Sequence, residues 1–184
     1  MDYKSYMKSK KKFAKWILKQ PAIFIQRENE DGCSFVYITD GYIAFKFPIE
    51  TYSAYFRIES GLFPDIKDAE RCTIRNQIVS NDGPDIRRIF NENPSQKEMK
   101  ISNIASIIPI DKKKTVYARM FYLEGDHISF INQIFLDFII CDDPILTTQE
   151  NEKSPMFFKF DAGEEALALP IMMRGYENEN MVKN

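Results

Sequence analysis

Disulfide scaffolds and metal centres need residues that this sequence has little of. Its three cysteines, Cys33, Cys72 and Cys141, are odd in number, widely separated and without a Cys-x-x-Cys spacing. They predict reduced thiols in an intracellular protein rather than disulfides or a zinc site. His127 is the only histidine, so neither a catalytic dyad nor a zinc triad can be built around it locally. We therefore expect no cofactor.

Long apolar runs are also absent. No stretch approaches about 18 consecutive apolar residues, and no apolar segment of the signal-peptide kind follows the lysine-rich start of the chain. We expect a cytoplasmic protein with no membrane partner. The 184 residues suit one domain, and a formal net charge of −2 excludes attraction of nucleic acid to the whole surface. A local basic patch stays possible.

Such a patch is visible in residues 2–19, whose apolar positions follow helical spacing until Pro21 ends the pattern. The face opposite the apolar stripe is predicted to collect Lys4, Lys8, Lys10, Lys11, Lys12, Lys15 and Lys19. This face is either the solvated side of a surface helix or a surface that contacts phosphates. In the second interpretation the DNA-binding residues are Lys8, Lys11, Lys12, Lys15 and Lys19.

A tight hairpin follows. Residues 36–49 are apolar and aromatic apart from Lys46 and the turn Thr39-Asp40-Gly41, in which Asp-Gly supplies the positive φ that a short hairpin requires. Residues 22–26 and 34–38 read as strands, and the polar run 27–32 reads as the turn between them.

The middle of the chain, residues 50–100, is less regular and is interpreted as an insertion. Residues 52–58 read as a strand or the start of a helix, and residues 72–79 as a strand or a short helix. Asp85 can cap a short helix that ends at Asn91. Asp85 with Glu98 and Lys100 also mimics the acidic pair and lysine of a metal-dependent nuclease, although the expected hairpin between them is missing.

The second half is regular again. Residues 101–110 and 115–123 predict strands, Ser129 can cap a helix over residues 130–138, and residues 155–160 and 165–173 predict a closing strand pair. The two halves echo each other, with the order helix, strand, strand, strand before the insertion and strand, helix, strand, strand after it.

Two motifs resemble bacterial DNA sliding clamps. Thr39-Asp40-Gly41-Tyr42, followed by Ala44 and Pro48-Ile49, resembles the Thr-Asp-Gly segment of that family, and Leu169-Pro170-Ile171-Met172-Met173-Arg174 resembles its closing strand. In clamps both segments line a pocket for short peptides of replication proteins. The resemblance implies a peptide-binding site made of Thr39, Gly41, Tyr42, Ile43, Pro170, Met172, Met173 and Arg174. Ile43 stands where clamps usually have arginine.

The resemblance implies an α+β, clamp-like domain of two β-α-β-β-β units, with helices on one face of an antiparallel sheet. It would span residues 1–174, with an insertion at about 50–100 and a polar tail at 175–184. The implied function is non-enzymatic: a replication-associated processivity factor that binds duplex DNA and a partner peptide. One domain could close a ring only as a homo-oligomer. A protein-interaction module without DNA binding and a metal-dependent nuclease are the alternatives.

Overall fold

The main element of the fold is a large antiparallel sheet. The structure is a computed structural model, and it describes residues 3–58, 63–91, 100–111, 114–123, 127–139, 146–148, 153–160 and 163–171. In these ranges the helices are α1 (Tyr3–Ile17), α2 (Ile49–Tyr52), which runs on into a π-helical turn (Ser53–Ile58), α3 (Arg87–Asn91) and α4 (Gln133–Ile139). The strands are β1 (Ala22–Glu30), β2 (Cys33–Thr39), β3 (Ile43–Pro48), β4 (Arg71–Arg75), β5 (Ile78–Ser80), β6 (Lys100–Asp111), β7 (Lys114–Leu123), β8 (His127–Asn132), β9 (Leu146–Thr148), β10 (Met156–Lys159) and β11 (Glu165–Ala168).

Eight strands form the large sheet in the order β5-β4-β1-β2-β3-β11-β10-β9, and β6-β7-β8 form a second, smaller sheet. Every strand pairing of the two sheets is antiparallel. The predicted α+β class is confirmed.

Two hairpins of the large sheet are tighter than the sequence predicts. Asp31 and Gly32 have φ of 49° and 81°, and Asn76 and Gln77 have φ of 49° and 66°. These left-handed pairs make two-residue turns that match the twist of the strands. The prediction of a turn over residues 27–32 is therefore wrong, because β1 continues to Glu30. Residues 72–79 likewise contain parts of two strands rather than one element.

The main core lies between one face of the large sheet, called here the inner face, and helices α1, α2 and α4. Phe13 of α1 is fully buried, and its ring centroid lies 4.5 Å from that of Phe45 and 5.5 Å from that of Phe138. Trp16 stacks beside Phe138 at 5.4 Å, so α1 and α4 lie side by side. Aromatic rings thus contact one another between the helices and the sheet.

One lysine is part of this core. Lys10 is fully buried, and its Nζ lies 3.2 Å from Oε2 of Glu164, which is 2% exposed. The hydroxyl of Tyr6 donates to the same carboxylate, and the Lys10 ammonium lies over the rings of Tyr6 and Phe45 at 4.9 Å and 5.2 Å. The prediction that Lys10 lies on the exposed basic face is therefore wrong.

The start of α4 also differs from the prediction. Ser129 lies buried in β8, which pairs with β7 from His127 to Asn132. The helix is capped by Asn132, whose Oδ1 accepts the amide of Ile134 at 3.1 Å. Strand pairing with β7 outweighs the local capping preference of Ser129, because it satisfies the backbone groups of alternate residues along the whole of β8.

The opposite, outer face of the large sheet carries the short helix α3. Phe90 packs on Tyr37 with ring centroids 5.3 Å apart. Buried Gln26 of β1 accepts the backbone amides of Ile86 and Arg87 through Oε1, at 2.5 Å and 3.2 Å. Helix α3 belongs to the segment that the sequence suggests is an insertion, so the prediction of helices on one face, which concerns the two β-α-β-β-β units, does not apply to it.

Replacing Gln26 with leucine should lower the free energy of unfolding by about 1–3 kcal/mol, because two amides at the start of α3 would lose their buried acceptor. The urea midpoint of unfolding is the measurement. Gln20→Leu removes an amide that only donates to the Trp16 carbonyl at 3.2 Å, and it should change stability by less than about 0.5 kcal/mol. Equal midpoints for the two variants would show that Gln26 does not cap α3.

The large sheet contains an internal repeat. Helix α1 with β1-β2-β3 and helix α4 with β9-β10-β11 have the same order of elements, and β3 pairs with β11 at the centre of these six strands. The six strands are therefore arranged symmetrically about that pair. Strand β8 precedes α4 and completes one β-α-β-β-β unit, whereas no strand precedes α1 in the described residues.

The segment that the sequence suggests is an insertion is part of this architecture where it is described. Strand β4 pairs with β1 over five residue pairs, from Ala22↔Arg75 to Gln26↔Arg71, and extends the large sheet by the β4-β5 hairpin. Residues 92–99 lie outside the described ranges.

Candidate functional site

Lysines of α1 and of the turn that follows it form the first candidate site. Lys8, Lys12, Lys15 and Lys19 are exposed and Lys11 is half-buried; these five residues are called the basic surface from here on. Lys8, Lys12 and Lys15 are spaced four and three residues apart, so they form one stripe along about 10 Å of helix. A shallow depression of about 380 Å³ lies among Met7, Lys8, Lys11, Lys12 and Lys15. Helix α1 contains no acidic residue.

An acidic residue from the neighbouring helix borders the basic surface. Asp137 of α4 lies 3.7 Å from the Nζ of Lys12, and both side chains are about half exposed. The amide of Gln133 donates to Asp137 at 3.0 Å, and Nε of Arg119 donates to Gln133 at 3.1 Å. This polar chain holds the carboxylate beside the lysines. Helix α4 itself contributes no lysine or arginine.

The Thr-Asp-Gly hairpin is the second candidate site, and most of its residues build the turn. Oγ1 of Thr39 donates to the Ile43 carbonyl at 2.8 Å and accepts the Gly41 amide at 2.9 Å. Oδ1 of Asp40 accepts the amides of Tyr42 and Ile43 at 2.9 Å and 3.0 Å. Gly41 has φ of 94°, which favours glycine. These contacts confirm the predicted turn.

The predicted peptide-binding residues divide into surface and core. Tyr42 is 65% exposed at the tip of the hairpin, whereas Ile43 is fully buried in the main core and cannot contact a peptide at the surface. The Leu169 amide donates to the Tyr42 carbonyl at 2.9 Å, and Pro170 bridges to Ile131 of β8. The closing segment therefore lies beside the hairpin. Met172, Met173 and Arg174 lie outside the described residues.

Asp85, the described member of the nuclease pattern, has structural partners. Its Oδ1 accepts the amide of Gln26 at 3.0 Å, and its Oδ2 lies 3.0 Å from Nη2 of Arg71. The hydrogen bond from Gln26 is the main reason that the pKa of Asp85 lies below its usual value, and Arg71 and a backbone bond from Arg88 add to the effect. The bond from Arg88 is the predicted helix cap. Glu98 lies outside the described residues.

A charged cluster that the sequence did not reveal lies on the outer face. Lys46 of β3 lies between Glu30 and Glu165, with Nζ to carboxylate distances of 2.7 Å and 3.4 Å. The hydroxyl of Tyr37 also donates to Glu30. Partial burial works to raise the pKa of Glu30, but the bonds from Lys46 and Tyr37 outweigh it and lower that pKa. The sequence signal that could have identified this cluster is the alternation along β3, in which Lys46 lies between the buried Phe45 and Phe47.

Comparisons with known proteins do not identify a relative, so the function has to be inferred from the geometry of these sites. No family model, curated protein or solved structure matches the chain. Within the described ranges no helix is long and apolar enough to cross a membrane. In those same ranges no three histidine, cysteine or acidic side chains are grouped so that they could hold a metal ion.

Proposed function

We propose that this protein is a non-enzymatic, clamp-like DNA-binding protein that contacts the phosphates of duplex DNA through the basic surface. The observation that carries the proposal is the stripe of exposed lysines on a helix without acidic residues. Lysines on one face neutralise phosphate charge without reading base sequence. Binding is therefore expected to depend on salt and to be nearly independent of sequence.

The internal repeat supports the clamp-like part of the proposal. Helices α1 and α4 lie side by side on one face of a symmetric set of strands, as the resemblance to sliding clamps implies. A role in replication, a partner peptide at Tyr42 and assembly of several copies around DNA follow from the same resemblance. The two halves of the repeat differ in charge, because α1 contributes basic residues and α4 contributes none.

The test is the affinity for a fluorescent 30-base-pair duplex as a function of salt, together with solution mass by light scattering. Each lysine that contacts a phosphate should contribute about −0.9 to the slope of log K against log salt. A slope near zero, or no binding at low salt, would contradict the proposal. A mass that rises in discrete steps on the duplex would support assembly of several copies.

Asp137→Asn should strengthen DNA binding by about two- to five-fold at low salt, because it removes a carboxylate that competes with phosphate for Lys12. The same titration measures it. Asp68→Asn makes the same charge change at an exposed residue away from α1 and should leave the affinity within about two-fold. Equal gains in both variants would mean that only net charge matters and that Asp137 has no local effect.

The exposed tyrosine at the hairpin tip favours a second candidate function. Tyr42 lies beside half-buried Leu169 and Pro170, and exposed aromatic residues are frequent anchors of protein interfaces. A protein-interaction module of the same fold would use this surface without touching DNA. Absence of DNA binding at low salt would leave this candidate as the better account.

A further inference from the structure

Among the described residues, the large sheet ends at strand β5. In the described part of the chain, β5 pairs with β4 on one side and with no strand on the other. Ile78 is 72% exposed and Val79 is 43% exposed. Proteins usually protect sheet edges with charge, proline or a covering segment, since a free edge can accept another strand. Exposed apolar side chains on such an edge indicate a binding surface.

The hairpin geometry fixes which backbone groups face outward. Because Asn76 and Gln77 form a two-residue turn, Arg75 and Ile78 are the hydrogen-bonded pair that closes it. The next pair, Ile74 and Val79, is then a non-hydrogen-bonded pair. The amide and carbonyl of Val79 consequently point away from β4. They offer one donor and one acceptor to an added strand.

A cleft of about 500 Å³ lies directly beside Val79. Its apolar lining includes Pro64, Ile66, Cys72 and Val79. Its acidic lining residues are Asp65, Glu70 and Asp82, whose carboxylates contact the Arg57 guanidinium, the Lys67 amide and the Ser80 hydroxyl. Arg71 also lines the cleft, but its guanidinium is 3.0 Å from Asp85 on the other side of β4. Burial raises the pKa of the Cys72 thiol to about 11, so the cleft has no ready nucleophile there. Its charge complements a cation.

Three contacts hold the walls of this cleft in place. The Tyr52 hydroxyl donates to the Pro64 carbonyl at 2.7 Å, and Arg57 lies 3.1 Å from Asp65. On the other wall, Oγ1 of Thr73 donates to the Asp82 carbonyl at 2.5 Å. A preformed cleft loses less entropy when a ligand enters it.

We propose that β5 binds an extended segment of a partner protein, and that an arginine or lysine of this segment enters the cleft. Residues paired across two strands place their side chains on the same face. The residue opposite Val79 therefore lies on the face of Val79, which lines the cleft, while its neighbours in sequence lie on the face of Ile78. The recognised segment is a basic residue flanked by apolar, strand-forming residues. This site is separate from the basic surface and does not depend on DNA binding.

The test is a selection of random heptapeptides displayed on phage against the full chain. We expect enriched peptides to contain arginine or lysine between β-branched residues. A synthetic copy of such a peptide should bind at least about tenfold more weakly to the Asp65→Asn, Asp82→Asn double variant, because charge pairs at a binding site commonly contribute this much. The matched control, Asp31→Asn with Asp68→Asn, changes the same net charge at exposed residues outside the cleft and should bind normally.

A change in the peptide tests strand addition without disturbing the protein. Methylation of the backbone nitrogen of the basic residue should abolish binding, since the bond to the Val79 carbonyl would be lost. Failure to enrich any basic peptide, or binding that survives both the double variant and the methylation, would overturn the proposal. Concentration-dependent dimers that Ile78→Lys abolishes would also overturn it, because a second copy would then be the occupant of β5.

Discussion

Replacing Lys10 with methionine should lower the free energy of unfolding by about 3–5 kcal/mol, among the largest effects of any single substitution in this chain. The ammonium and the Glu164 carboxylate are 3.2 Å apart, and both side chains are almost fully buried. Without Lys10 the carboxylate keeps the hydrogen bond from Tyr6 but has no cation beside it. An unpaired charge in the core is costly, whereas the exposed pair of Lys12 and Asp137 should cost less than about 1 kcal/mol when Lys12 becomes methionine.

The double variant Lys10→Met, Glu164→Leu tests whether the ion pair itself stabilises the fold or whether Lys10 is needed only because Glu164 is buried. Apolar side chains of similar volume in place of a buried ion pair are often neutral or stabilising. Tyr6 and Thr51 would lose their shared acceptor, but their hydroxyls are 3.5 Å apart and can bond to each other. We expect most of the lost stability to return. Urea unfolding followed by the fluorescence of Trp16, the sole tryptophan, measures all three variants. A double variant less stable than Lys10→Met would contradict this account.

The burial of Lys10 also shows where the sequence prediction for α1 is wrong, although Lys10 is not one of the five predicted DNA-binding lysines. Helical spacing correctly placed α1 and its apolar stripe, and four of the predicted DNA-binding lysines are exposed. Three consecutive lysines occur at residues 10–12, however. Lys10 lies three and seven residues before Phe13 and Ile17, so helical spacing places it on the apolar stripe, where a charged side chain is expected only if a partner is buried with it. The partner that decides it is Glu164, which lies 154 positions further along the chain. Local patterns report the face of a helix but not a distant counter-ion.

The same reasoning applies to the hairpins and to α4. The Thr39-Asp40-Gly41 turn was predictable because its bonds are local, within four residues. The β4-β5 hairpin was not, because its turn residues Asn76 and Gln77 are weaker signals than Asp-Gly. Ser129 is predicted as a helix cap because the capping preference of serine takes no account of the pairing of β8 with β7. The free edge at β5 became visible only with the strand order.

Neutralising Lys8, Lys12 and Lys15 together as glutamines should weaken binding to duplex DNA by roughly three orders of magnitude at 50 mM salt. Each phosphate contact changes the slope of log K against log salt by about 0.9. Three lost contacts therefore flatten the slope by about 2.7, and the difference grows as salt is lowered from about 1 M, where the electrostatic contribution vanishes. Glutamine keeps the helix propensity close to that of lysine, so α1 should still form.

The matched control replaces Lys67, Lys153 and Lys159, which are exposed on other parts of the protein, with glutamine. Both triple variants lose the same net charge, so a general loss of attraction would weaken them equally. The proposal requires the α1 variant to lose far more affinity and more slope than the control. Equal losses would mean that DNA binding depends only on the net charge of the protein. A control that loses more would place the interface on another surface. In either case the basic surface of α1 would be the solvated face of an ordinary helix.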